Sequence, residues 1–360
     1  MRLLRYALAS IGALVLLCAA PIAYVETSCK ATLDPARAEV SPFVIPEAGY
    51  RRAEGDSYLS YPEWYIVHAY TDLAAVTRQS SESAFDYIAS ITGFWRSLCR
   101  ATIAAGHVGP VTSDQKVTNY IIGLSFTAEM AVIGLYERTI GAVTAWIRGP
   151  TRTAEDEFAL KAADEYAAFL QQTPWYRYPF WPQLLRFWRE TPFAHGNLAR
   201  SVERRFAISL EYAAKAAYAV AIGALAGYSP ADLRLMSVVD RLDAQDLAAE
   251  PRITKLRDIG DNATLIETPR YQEYTDILRR LGARGRNVLE IAGNRRILST
   301  VIAPVQGRLA TIGATEIFSI PIQSRPGWRR IGLDTEVSAL TRLIGAVEKQ
   351  GAEFEHAYDY

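Results

Sequence analysis

The chain has 360 residues, half of them hydrophobic and 22% charged, with lysine plus arginine matching aspartate plus glutamate at 39 each. That length exceeds the usual single domain, so two domains and an anchor are expected. Zero net charge gives no reason to expect a nucleic-acid partner, and the charged fraction is too high for a transporter made mostly of spans. Three cysteines without a CxxC or Cys/His cluster argue against a zinc or iron–sulfur site, and nothing names a cofactor.

Arg2 and Arg5 precede an uncharged run from Tyr6 to Val25, ended by Glu26. About 20 apolar residues can cross a hydrocarbon core of roughly 30 Å. A cleaved signal peptide has the same basic start and apolar run. Cleavage after Ala20 is hindered by Pro21, however, and Leu17 stands before Cys18 where lipoprotein processing needs a small residue. Residues 1–28 are therefore expected to form an uncleaved transmembrane anchor with a cytoplasmic N-terminus. Cys29 and Cys99 then fall on the exported side, as a disulfide or as a pair of free thiols.

A loop-rich stretch with Pro35, Pro42, Pro46 and Gly49 leads into a helical domain over 29–240, which opens with a helical region from Pro62 to Ala104. Its most informative feature is a matched pair of apolar helices near 119–147 and 206–228. The first carries Glu129, Tyr136 and Ile140-Gly141-Ala142; the second carries Glu211, Tyr218 and Ile222-Gly223-Ala224. An ionisable group inside an apolar helix is costly unless paired or useful. Phe206, Ile208, Leu210, Val220, Ile222 and Leu225 favour insertion by about 3 kcal/mol together, whereas Glu211 and Lys215 each oppose it by about 2.5 to 3.5. The second segment is thus a poor span on its own, although Glu211 and Lys215 can pair across one helical turn.

Two arrangements are compatible with this pattern. In one, three helices span, and arginines 138, 148, 152, 200, 204 and 205 mark a cytoplasmic loop. In the other, only the first helix spans, and the later two are core helices of a domain lying against the bilayer. Either way Glu129 and Glu211 are candidate acid and base, with Tyr136, Tyr218 and Lys215 beside them. The blander alternative is a pair of buried carboxylates held by a cation or a tyrosine. Neither belongs to a Glu-x-x-His motif, and no metal ligand set is assigned.

Upstream of each glutamate the same order of motifs recurs: Pro62-Glu63-Trp64-Tyr65 with Phe94-Trp95-Arg96, then Pro174-Trp175-Tyr176 with Phe187-Trp188-Arg189. An internal duplication of the helical domain would produce this, as would chance in an aromatic-rich chain. Trp64, Tyr65, Trp175, Tyr176, Trp181 and Trp188 suit either a membrane interface or a core. His68, one turn beyond Trp64, is a binding candidate, though a lone histidine is more often structural. Thr153 and Asp156 predict a capped amphipathic helix ended by Thr173-Pro174.

Past Tyr228, Ser229-Pro230 opens a polar helix, and 241–262 is charged enough to be a linker. Residues 263–360 read as an α/β domain. A strand at Ala263–Glu267 is followed by Thr268-Pro269 as helix cap and first helical residue. Strands at Asn287–Ala292 and Ile297–Ala303 are joined as a hairpin through Gly293-Asn294. A second strand pair surrounds Arg325-Pro326-Gly327, Asp334 caps a helix, and Glu353–Tyr358 closes as a strand. This βαββ–ββαβ order predicts an α+β chain ending in a ferredoxin-like sandwich, a fold that assigns no function.

The Pro62-Glu63-Trp64-Tyr65 motif, the Glu211-Tyr212-Ala213-Ala214-Lys215 run and the closing Glu355-His356-Ala357-Tyr358-Asp359-Tyr360 resemble a family of uncharacterised bacterial envelope proteins. The resemblance implies membrane association and carries no known activity, cofactor or catalytic residue. The expectation is a membrane-anchored envelope protein of the bacterial inner membrane with a periplasmic C-terminal domain, binding a protein partner or an apolar small molecule. A membrane enzyme using Glu129 and Glu211 as acid and base is one alternative. An ion-coupled transport component is the other, and it requires three spans.

Overall fold

The computed structural model describes residues 19–37, 41–192, 197–225 and 233–359. The basic start and most of the apolar run expected as an anchor lie outside them, as do Tyr228 and Ser229-Pro230.

Helix α1 (residues 19–28) is tied to the helical unit by Glu26, which pairs with Lys116 at 3.1 Å and accepts a hydrogen bond from Tyr120 at 2.6 Å. Cys29, just beyond it, is disulfide-bonded to Cys99. The helical region from Pro62 divides into α2 (Asp56–Leu59), α3 (Tyr61–Gln79) and α4 (Tyr87–Val108). Asp86 caps α4 by accepting from the Ala89 N–H at 3.1 Å. Helix α5 (Ser113–Tyr136) starts at a capping box between Thr112 and Gln115. It runs through a π-helical turn, Glu137–Gly141, into α6 (Ala142–Arg148). Glu137 and Arg138 do not interrupt the helix, because Glu137 turns inward to Arg204 at 2.8 Å.

Helix α7 (Ala154–Leu170) has the cap predicted at Thr153 and Asp156, with both reciprocal hydrogen bonds present. Helices α8 (Phe180–Glu190) and α9 (Leu198–Leu225) complete the unit. The tandem aromatic motifs do not sit on matching elements: Pro62-Glu63-Trp64-Tyr65 opens the 19-residue α3, while Trp175–Arg177 is a single 3₁₀ turn.

The repeat that the structure does contain lies in the other half. Strands β1 (Arg234–Asp240), β2 (Thr254–Ile259), β3 (Ala263–Pro269) and β4 (Val288–Ile291) form one sheet, in the order β2-β3-β1-β4. Strands β5 (Arg296–Pro304), β6 (Ala314–Pro321), β7 (Trp328–Glu336) and β8 (Glu353–Ala357) form a second, in the order β6-β7-β5-β8. All pairs are antiparallel, and each sheet breaks register at corresponding places: Lys255/Arg257 and Val238/Val239 in one, Glu316/Phe318 and Thr300/Val301 in the other. Each unit inserts one long helix before its last strand, α11 (Gln272–Ala283) and α12 (Leu340–Lys349), with a short α10 (Ala244–Ala249) after β1.

Several expectations are corrected here. Residues 241–262 are not a linker, since α10 and β2 occupy them and β1 precedes them. Thr268 and Pro269 end β3, and α11 starts only at Gln272. Gly293-Asn294 joins strands of different sheets, so β4 and β5 are not a hairpin. Asp334 lies inside β7, where it accepts from Tyr58 at 2.5 Å and Arg296 at 2.8 Å, and caps nothing. Two four-stranded sheets assemble, where the strand order had suggested one ferredoxin-like sandwich.

Alternation explains the layering. Leu235, Val239 and Ile266 of the first sheet and Ile297, Val301, Ile331 and Leu333 of the second share one core with α11 and α12. The opposite face of the first sheet is covered by Phe43, Ile45 and Tyr50. That of the second, through Leu298, Phe318 and Tyr358, packs into the core of the helical unit with Tyr61, Trp64 and Phe94.

Candidate functional site

Helices α5–α6 and α9 lie antiparallel and are joined by a ladder of polar contacts. Ser125 meets Tyr218 (3.3 Å), Glu129 meets Lys215 (2.7 Å), Glu137 meets Arg204 (2.8 Å), and Arg200 donates to the Gly141 carbonyl (3.2 Å). The matched glutamates meet in the same place. Lys215 Nζ stands 2.7 Å from a carboxylate oxygen of Glu129 and 2.7 Å from one of Glu211. The sequence offered Glu211 this partner by spacing but none to Glu129, because that pair forms between helices.

Lys215 is caged by aromatic rings as well, with Nζ 5.4 Å from the Tyr70 centroid, 5.3 Å from Tyr166 and 5.9 Å from Phe180. Burial alone would release the proton, but the carboxylates of Glu129 and Glu211 outweigh it and hold the ammonium well above its ordinary pKa. The space between α3, α5, α7 and α9 is a cavity of about 130 Å³, with Lys215 and Glu211 at one end. Arg204, Glu82 and Glu137 line the other end, and Tyr87, Tyr166 and Tyr212 are among the walls.

Behind Arg204 the charges close into a network. Arg200 reaches Asp156 (3.0 Å) and Glu203 (2.9 Å), Arg148 reaches Asp156 (2.6 Å), and Arg205 pairs with Glu155 (2.9 Å). Burial raises Glu203 to about 7. Arg138 pairs with Asp86 at 3.5 Å, and Arg152 donates to the Thr77 carbonyl at 3.0 Å. All six arginines thus have structural partners within the helical unit.

The other two predicted residues, Trp64 and His68, are brought together elsewhere, at the seam between the helical unit and β8. The Trp64 and His356 rings lie 3.8 Å apart, His68 Nε2 is 3.2 Å from the Tyr358 hydroxyl, and His68 Nδ1 is 3.7 Å from Glu355. Two motifs from opposite ends of the chain therefore form one buried cluster. Burial and the Arg330 charge drive the His68 pKa down to about 3, and burial with the neighbouring His68 does the same to His356. Burial pushes Glu355 up, but Arg330, bound through two contacts of 2.6 and 2.7 Å, holds it at about 2. Asp359 accepts from the Tyr271 N–H at 2.9 Å, and Tyr271 opens α11 with a φ of 62°, a conformation rare for a side chain of this size. Arg330 and Tyr271 had no distinguishing signal in the sequence, and Asp359 had only its place in the closing motif. Tyr218 stacks on Trp175 at 5.0 Å, and Tyr136 reaches neither site.

The outward faces of α5–α6 and α9 are apolar. Apart from Glu211, whose side chain is 41% exposed and paired with Lys215, the exposed side chains of α9 from Leu198 to Ala224 are uncharged, and Arg200, Glu203, Arg204, Arg205 and Lys215 turn inward. Between Val117 and Ile147 the only exposed charge is Arg138, while Trp146 is 82% exposed. Among the described residues one helix, Ser113–Arg148, is long and apolar enough to cross a membrane, and its most apolar window is only 28% buried. Trp181, Leu185 and Trp188 extend the apolar surface along α8. These helices are therefore not enclosed in a core, as the bilayer-seated arrangement had assumed.

No known protein family, curated protein or solved structure matches the chain.

Proposed function

We propose that the protein is a membrane-anchored bacterial envelope protein whose helical unit rests in one leaflet through α5–α6 and α9, and that it acts there as a binding protein. The observation that carries this is the uncharged outer surface of α9. Its 28 residues rise about 42 Å, with the charges paired and, Glu211 excepted, held on the inner side. An apolar surface of that extent is rare on a soluble monomer and marks a lipid or protein contact. Lipid is favoured because the uncharged run Tyr6–Val25 leads directly into the unit, and Trp146, Trp181 and Trp188 stand on the apolar side as interfacial residues do.

The test is quenching by lipids brominated along their acyl chains, with the full-length protein in vesicles. Emission lost in the Trp146→Phe variant is expected to be the most strongly quenched fraction. Equal quenching in the two proteins would overturn the seating. The periplasmic side and the inner membrane are part of the same proposal, which reporter fusions after Arg148 and Tyr228 would check. A cytoplasmic signal after Arg148 together with an exported one after Tyr228 would overturn it in favour of spanning helices.

An acid/base role for Glu129 and Glu211 has one observation in its favour, that both converge on a lysine lining a cavity. Either carboxylate would first have to be released from that lysine.

A further inference from the structure

The cavity between α3, α5, α7 and α9 is walled by carboxylates, aromatic rings and aliphatic side chains such as Leu73, Ile133 and Ile208, with Lys215 and Arg204 among them. At one end Lys215 answers both Glu129 and Glu211. At the other, Arg204 lies 2.9 Å from Glu82 and 2.8 Å from Glu137. Arg204 also reaches Asp156 at 3.3 Å and Arg200 approaches Glu82 at 3.9 Å, but Glu82, Glu129, Glu137 and Glu211 outnumber Lys215 and Arg204, and the surroundings of the cavity are left with negative charge in excess. Adding the charges behind Arg204 does not change the sign, because Arg148 and Arg200 are set against Asp156 and Glu203. Tyr70, Tyr166 and Phe180 already hold an ammonium group, that of Lys215, over their faces. Tyr87, Tyr178 and Tyr212 continue the same lining around the open volume of about 130 Å³.

We propose that this cavity binds an organic ammonium ion with a compact apolar body. Ring quadrupoles and excess carboxylate both favour a cation, and an anion would meet the unbalanced carboxylates at either end. The volume exceeds what a bare metal ion fills. Among the described residues no group of three histidine, cysteine, aspartate or glutamate side chains is placed to hold one. Diffuse positive charge on a quaternary or aryl-alkyl amine suits ring faces better than the compact charge of an inorganic ion.

Binding of benzyltrimethylammonium to the full-length protein in a nonionic detergent, followed by titration calorimetry, tests this. Phenylacetate, of similar size and opposite charge, is the counter-probe. Saturable one-site binding of the cation is expected, with the anion at least tenfold weaker. Glu211→Gln is expected to weaken the cation about tenfold and Tyr212→Leu about fivefold, through charge and ring respectively. Leu185→Ala, on the outer apolar surface, should leave it unchanged. Absence of saturable binding to the parent protein, equal affinity for cation and anion, or unaltered affinity in both Glu211→Gln and Tyr212→Leu would each overturn the proposal. Since binding is read in detergent, its failure is separate from failure of the membrane seating.

Discussion

Trp64 and His356 lie with ring centroids 3.8 Å apart, although one belongs to the first long helix and the other to the last strand. Around them two neutral imidazoles are buried beside the Arg330–Glu355 pair, and this makes acid stability the property to measure. Both imidazoles have folded-state pKa values near 3 against the ordinary 6.5. Their contribution is therefore full above pH 6.5 and falls as the unfolded chain takes up protons that the folded chain refuses. Two such groups contribute a slope of about 2.7 kcal/mol per pH unit. Glu203, raised to about 7, opposes this with one proton between pH 4.5 and 7, so the loss is steepest below 4.5. In denaturant titrations from pH 7 to 3.5, His68→Gln is expected to flatten the slope by about 1.4 kcal/mol per unit. An unchanged slope would show that His68 takes no part in the acid response.

Lys215 is the hinge of the helical cavity. Lys215→Met leaves Glu129 and Glu211 close together without their shared cation, and a loss of about 2 kcal/mol is expected. That is less than the 3–5 kcal/mol of a fully buried broken pair, because both carboxylates keep partial contact with solvent. Adding Glu129→Gln and Glu211→Gln should restore at least half of the loss in urea unfolding. If the triple variant is no more stable than Lys215→Met, charge is not what the lysine provides.

The Cys29–Cys99 bond closes a loop with a sequence separation of 70 residues. Chain-entropy arguments put its contribution at about 4 kcal/mol. Cys29→Ser should lower the urea midpoint accordingly, and a reducing agent should do the same to the parent while leaving the variant unaffected. A parent protein insensitive to reductant would contradict the bond.

Two helical glycines make opposite predictions. A Cβ on Gly134 of α5 would lie 2.7 Å from the Tyr87 ring, whereas one on Gly345 of α12 would meet nothing within 4 Å. Gly345→Ala should stabilise by about 0.5–1 kcal/mol through helix propensity. Gly134→Ala should destabilise by about 1 kcal/mol or more despite the same propensity gain. Thermal midpoints of the two variants, measured side by side, settle the pair; shifts of the same sign would show that α5 is not packed on Tyr87 as described.

Local chemistry in this chain was readable where it is self-contained. The Thr153–Asp156 cap, the pairing of Glu211 with Lys215 and the strands around Arg325-Pro326-Gly327 all rest on contacts within a few residues. Expectations failed where they concerned which segments meet. β2 was missed because charges such as Lys255, Arg257 and Asp258 hide a strand when one of its faces is solvated, and β1 because it follows Ser229-Pro230, which had suggested a polar helix. The hairpin at Gly293-Asn294 was wrong because a tight turn also suits a chain crossing from one sheet to the next. The partner of Glu129 came from another helix, and no spacing rule reaches it. The seam cluster was half legible: Trp64, His68 and the closing motif with His356 and Asp359 stood out, while Arg330 became notable only through what surrounds it.

Tyr358 packs in the core of the helical unit, and its backbone carbonyl accepts from Ser57 at 2.6 Å. Ribosomes release a chain from its N-terminus, so α2, α3 and α4 are made long before the strand that floors them. Until β8 and Tyr358 emerge, Tyr61 and Trp64 lack the rings of Tyr358 and His356 that complete their packing, and part of the apolar face of the helices waits uncovered. Interrupting the chain before Glu353 would then act on the first half of the protein as well as on the second, and would leave the helical unit more exposed to proteases.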